Sequence, residues 1–143
     1  MTSSASTQTA GVSYRRLAQL ALAAAAAAAA VNTVLFFVFR PLGAWPQEVV
    51  VRGGQPMSLP PILIFSFIGV VGAAVVLALL ARFTKKPERN FFIVAAVVFI
   101  GFFFTPFTIP GAPSLMIVAL ELAHVPPAIA AVWALPKALE EPA

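Results

Sequence analysis

Two ionisable residues, Glu121 and His124, lie inside the apolar run 115–135, at a depth where a charge is hard to accommodate. They are three positions apart, so a helix places both on one face. There one hydrogen bond can join them and one proton can pass between them. Pro126 and Pro127 follow at once. Lacking amide N–H groups, they free the carbonyls of Leu122 and Ala123, which then need a side chain, a water or a ligand. The other polar residues inside apolar runs are Asn32 and Thr33, then Ser66. Counting ~1.5 Å per residue from the outer helix ends puts Asn32 roughly 12 Å deep from Arg40, with Glu121 roughly 10 Å and His124 roughly 15 Å from Ser114. Asn32, Ser66, Glu121 and His124 therefore form the candidate buried polar site, in one layer.

An acid, a base, a helix bearing two prolines and free carbonyls are what a small buried polar cavity requires. The plainer reading is that the four side chains bond to one another and fix how smooth helices pack. Glu-x-x-His is half of a di-iron carboxylate signature, but that site needs two such pairs and two further Glu residues. No metal site is assigned. His124 can serve as axial ligand to a macrocycle, since one imidazole suffices, but Glu121 is an awkward neighbour and the cofactor is left unknown. A titrating relay for a small solute would use the same pair. No Ser/His/Asp set, phosphate-binding glycine loop or paired catalytic carboxylate is visible, so the chain reads as no enzyme.

The elements that hold these residues follow from composition. With 61% hydrophobic residues, 10% charged and a mean hydropathy of +0.97, the chain carries more apolar surface than a water-soluble fold can bury. Its charges fall between apolar blocks, the pattern expected of helices crossing a hydrocarbon slab. The net charge of +4 and pI near 10.4 do not indicate nucleic acid, because Lys and Arg flank the blocks and do not line one solvated face. Absence of Cys excludes disulfides and thiolate metal sites.

Residues 1–13 read as a disordered cytoplasmic tail. Four spans follow, at about 17–39, 61–83, 91–109 and 115–135, ahead of a second cytoplasmic tail at 138–143. The first contains the tract Ala23–Ala30 and is too long for a cleaved leader, although Arg15-Arg16 resembles a twin-arginine start. Between the first two spans, Glu48-Val49-Val50-Val51-Arg52, Gly53-Gly54 and Gln55-Pro56 predict a short hairpin with Pro56 on an edge arm, or an irregular loop. Trp45 is placed as an interfacial anchor. The second span offers Gly69, Gly72, Ala73 and Ala74 for close helix approach. The third is rich in Phe (91, 92, 99, 102, 103, 104, 107), and its regular helix should stop near Thr105, leaving Pro106–Ile109 deep in the membrane. Ser114 is read as the N-cap of the fourth.

Seven basic residues (15, 16, 82, 85, 86, 89, 137) fall on the side of the termini and two (40, 52) on the other, which predicts cytoplasmic termini. Arg82, Lys85, Lys86 and Arg89 form a tight basic turn that sets orientation and can meet lipid headgroups.

With these features in view, the chain resembles an uncharacterised family of bacterial four-helix integral membrane proteins, of the domain-of-unknown-function kind, over roughly residues 14–137. The likeness rests on the Ala-rich first helix ending in Asn32, the Val-rich segment with Gly53-Gly54-Gln55-Pro56, the turn Arg82-Phe83-Thr84-Lys85-Lys86-Pro87, and His124. It implies the topology and no activity. The expectation is thus an all-α four-helix transmembrane bundle with an extracytoplasmic hairpin, in a bacterial inner membrane. It would act as a non-catalytic accessory or structural subunit whose partners are membrane lipids, other membrane subunits or a second copy. A small transporter or ligand-binding protein centred on Glu121 and His124 is the alternative.

Overall fold

The computed structural model describes residues 11–51 and 54–139. Residues 1–10, Arg52, Gly53 and 140–143 lie outside the described residues; of the tail expected at 1–13 only 11–13 are described, and there Val12 and Ser13 pair with Leu139 and Ala138. Four helices carry the fold: α1 (Tyr14–Phe39), α2 (Leu59–Phe83), α3 (Pro87–Phe103) and α4 (Ser114–Ala134), with 3-10 turns at Pro106–Thr108 and Leu135–Ala138. Each helical region, with its 3-10 extension where present, is long and apolar enough to cross a membrane, and the chain is a four-helix membrane protein.

Local chemistry sets the ends. α3 opens on Pro87 and α2 carries Pro60 and Pro61 directly after Leu59, which is harmless in a first turn because amides there lack helical partners. α3 begins four residues earlier than the apolar run suggests, since Glu88 sits well at a helix N-terminus. Its regular part ends at Phe103, about 26 Å long at ~1.5 Å per residue. The 3-10 turn at Pro106–Thr108 completes that span, as the prolines require. Ser114 is the first helical residue of α4, and Pro113 occupies the cap. The Ile117 amide donates to the Pro113 carbonyl at 3.1 Å, so the cap lies one residue before the expected position.

Two buried clusters fix the up-down-up-down order. At one end Leu17 of α1, Leu77 of α2, Phe91 of α3 and Leu135 beyond α4 pack together. The two ends of the described chain meet there: the Ser13 amide donates to the Ala138 carbonyl at 3.0 Å, and Val12 bridges Leu139. At the other end Phe36, Trp45, Ile62 and Met116 pack beneath a hairpin of β1 (Val50–Val51) and β2 (Gln55–Pro56). Val50 faces Pro56 and Val51 faces Gln55, and Gly54 takes φ 75° to close the loop. Trp45 is not an exposed anchor. Its ring is 8% exposed, stacks on Phe36 at 5.3 Å and donates from Nε1 to the Phe36 carbonyl at 3.0 Å. The exposed tryptophan is Trp133, with Lys137 Nζ 3.1 Å above its ring.

Close approach comes from α1, whose Ala21, Ala24, Ala25 and Ala28 are buried, in part against Val70, Ala74, Ala131 and Ala134. Alanine permits this because its side chain ends at Cβ. Gly69 and Gly72 instead face outward, with nothing within 4 Å of an added Cβ, because the buried stripe of α2 runs through Ser66, Val70, Ala74 and Leu77. α3 is the peripheral helix. It packs on α2 and α4 with 11% of its apolar stretch buried, against 28% for each other span.

Candidate functional site

The polar layer divides into a satisfied part and an unsatisfied part. Asn32 is 1% exposed on α1, and its Nδ2 donates to Ser66 Oγ at 2.7 Å and to the Ala123 carbonyl at 2.9 Å. Ser66 Oγ in turn donates to the Ile62 carbonyl at 2.7 Å. That hydroxyl proton is committed, so Ser66 can only accept from Asn32, and both partners of the amide are acceptors. This fixes which end of the amide is nitrogen. The Ala123 carbonyl is available because its helical donor would be the amide of residue 127, which is proline. One side chain of α1 therefore ties α2 to the proline-interrupted turn of α4.

His124 makes no hydrogen bond to Glu121. Its Nδ1 lies 2.6 Å from the Leu120 carbonyl on its own helix, and its ring stacks at 6.4 Å on Phe102 of α3. A ring nitrogen facing a carbonyl must carry a proton, which leaves Nε2 as the free nitrogen of the neutral ring. The expected Glu121–His124 hydrogen bond is not formed, because the i−4 carbonyl is within easier reach of the imidazole than the carboxyl three residues back. His124 is also half-buried, not fully buried.

Glu121 is 9% exposed, and both carboxyl oxygens are buried without a hydrogen-bond partner, as is Asn32 Oδ1. It lines an open cleft of about 460 Å³ between α3 and α4, with Phe103, Phe107, Ser114, Val118 and Val125 among its walls. Glu121 is the one ionisable side chain in that lining. Val118, Leu122 and Phe107 at the cleft are exposed, so it opens onto the apolar outer surface of the bundle. Sequence reasoning missed the walls. Ser114, Val118 and Val125 follow from helical spacing about Glu121, whereas Phe103 and Phe107 come from α3 and had no local signal.

Among the described residues no group of three or more His, Asp or Glu side chains is placed to hold a metal ion. The remaining sequence candidates lie at the opposite end. Arg82 is in the last turn of α2, and Lys85, Lys86 and Arg89 lie in or just after the link to α3. The guanidinium of Arg82 sits 5.6 Å from the centre of the Phe83 ring.

A family model described as a family of unknown function, DUF6069, matches residues 12–141, from the first residue of the terminal bridge to beyond the last helix. The chain belongs to DUF6069. Comparison with curated proteins and with solved structures returned no match. The DUF6069 match takes in all four helices, the hairpin and every residue of the polar layer, so the Asn32 tie and the Glu121 cleft both lie within the family's unit.

Proposed function

We propose that this chain is a non-catalytic, ligand-binding membrane protein whose site is the cleft between α3 and α4. The observation that carries the reading is Glu121, a buried carboxyl with neither oxygen partnered, on a cleft whose other lining residues are apolar except Ser114. Buried polar groups are nearly always satisfied, and an exception calls for a role. The cleft is also of small-molecule size, within the ~300–1,000 Å³ usual for such sites. The chain would sit in a bacterial inner membrane with both termini cytoplasmic, a reading supported by the seven-to-two distribution of basic residues.

A second reading, an accessory subunit packing against other membrane proteins or a second copy, is favoured by α3. That helix turns most of its Phe side chains outward and buries far less of itself than its neighbours. One experiment separates the two. The tagged chain is purified in mild detergent and examined by native mass spectrometry and absorption spectroscopy. A bound small molecule, displaced when Val118→Phe fills the cleft mouth, supports the ligand reading. Stoichiometric protein partners retained by that variant support the subunit reading and count against the first.

A further inference from the structure

We infer that the cleft takes a lipophilic cation, a molecule with one positive centre on an apolar body; this rests on the cleft being a binding site. Three observations converge on that chemistry. Glu121 is the one ionisable side chain among the cleft's lining residues, and the described residues give its carboxyl no hydrogen-bond donor; His124, three residues on, is close enough to act on its charge without bonding to it. A carboxylate held away from water is best stabilised by a cation brought close to it. Phe103 and Phe107 stand in the same walls, and the negative face of a phenyl ring attracts a cation within about 6 Å. Apart from Ser114 at one end, the remaining lining, Ile117, Val118, Leu122 and Val125, offers only apolar contact, which suits an apolar ligand body.

Position argues the route. The mouth is flanked by Val118, Leu122 and Phe107, all on the outer apolar surface. A ligand arriving there comes from the hydrocarbon layer and must already partition into it. Ser114 sits at the head of α4, two turns from Glu121, toward the hairpin end of the bundle. The carboxyl oxygens are buried while Glu121 lines the cleft, and the three rotatable bonds of the glutamate side chain allow them to turn toward a bound cation. A partner helix bearing Lys or Arg would satisfy the same charge. A volume of about 460 Å³ suits one small molecule, and a helix laid along the three turns from Ser114 to Val125 is the rival occupant that the test must exclude.

The test uses the full chain in lipid nanodiscs, with empty nanodiscs as the partition background. Three radiolabelled probes of similar shape are compared: tetraphenylphosphonium (cation), triphenylphosphine (neutral) and tetraphenylborate (anion). Saturable binding of the cation about tenfold tighter than the neutral probe, lost in Glu121→Gln and in Val118→Phe, is the expected result. Equal binding of cation and neutral probe, unchanged in Glu121→Gln but blocked by Val118→Phe, overturns the cation assignment and leaves the binding site standing. No saturable binding of any probe overturns both. Should Glu121→Gln fail to assemble, Val118→Phe and the charge series on the native chain still decide, because neither needs that variant. Co-purification of a protein whose intramembrane Lys or Arg crosslinks to the cleft, with probe binding absent, replaces the lipophilic cation by a partner side chain.

Discussion

Replacing Asn32 by Leu should destabilise the bundle strongly, and most of the loss should vanish when Pro127 is changed to Ala. The Asn32 amide makes two interhelical hydrogen bonds, to Ser66 Oγ and to the Ala123 carbonyl. At ~0.6 kcal/mol for an average polar contact between membrane helices, the two sum to roughly 1.2 kcal/mol. Asn32→Leu also strands the Ala123 carbonyl, whose helical donor Pro127 lacks, and an unsatisfied buried acceptor costs about 1–3 kcal/mol. The expected total is about 2–4 kcal/mol. Pro127→Ala restores an amide N–H at the position that normally bonds the Ala123 carbonyl, so Asn32→Leu in that background should lose only about 1.2 kcal/mol. The assay is reversible unfolding in mixed micelles by titrated SDS, followed by far-ultraviolet circular dichroism, over the four-member double-mutant cycle. The expected coupling is about 1–3 kcal/mol. Equal losses in the two backgrounds, within ~0.5 kcal/mol, would show that Asn32 does not substitute for the missing proline amide.

Gly69→Ala and Gly72→Ala should leave the isolated protein at or above native stability, because an added Cβ meets open space. By contrast Ala25→Leu, at a position with no exposure, should lower stability by about 1–3 kcal/mol through overpacking, in the same SDS titration. Trp45→Phe keeps the stack on Phe36 but loses the Nε1 bond, and should cost about 1 kcal/mol by thermal unfolding in detergent. The native chain has no cysteine, so single cysteines report topology cleanly. Gln47→Cys should react with an impermeant maleimide on whole cells and Lys85→Cys only after permeabilisation, whereas the reverse pattern would invert the orientation.

The gross architecture was legible because bilayer physics writes it into composition. Apolar blocks, proline positions and the Gly-Gly hairpin turn read directly as four spans and two short strands. Sequence also placed Asn32, Ser66, Glu121 and His124 in the bundle, and the idea that the Pro126–Pro127 pair frees carbonyls led to Ala123, which Asn32 engages. What one-dimensional spacing could not give was the choice each polar group makes among neighbours. His124 takes its own i−4 carbonyl in place of Glu121, and Trp45 folds inward to meet a carbonyl at the end of α1. Of the small residues of α2, Ala74 packs against α1 as expected, but Gly69 and Gly72 misled for a related reason. Their type permits close approach, but the rotation of the helix, set by Ser66, Val70 and Leu77, points them outward. The walls contributed by α3 depend on how a peripheral helix settles, and nothing in its repeated phenylalanines specifies a face.

The contrast between Asn32 and Glu121 bears most directly on function. A layer that served packing alone would be expected to pair its buried acceptors as well as its donor. Instead the amide nitrogen is fully used, while Asn32 Oδ1 and both carboxyl oxygens of Glu121 are left without partners among the described residues, and of these two residues only Glu121 lines the cleft. Such a group weakens the resting fold, and Glu121→Leu is expected to raise stability by about 1–3 kcal/mol in the SDS titration. The gain should come with loss of probe retention in nanodiscs, the pairing expected of a residue kept for activity at the expense of stability. A Glu121→Leu variant that unfolds more readily than the native chain would instead make Glu121 a structural residue, and the case for a binding cleft would fall with it.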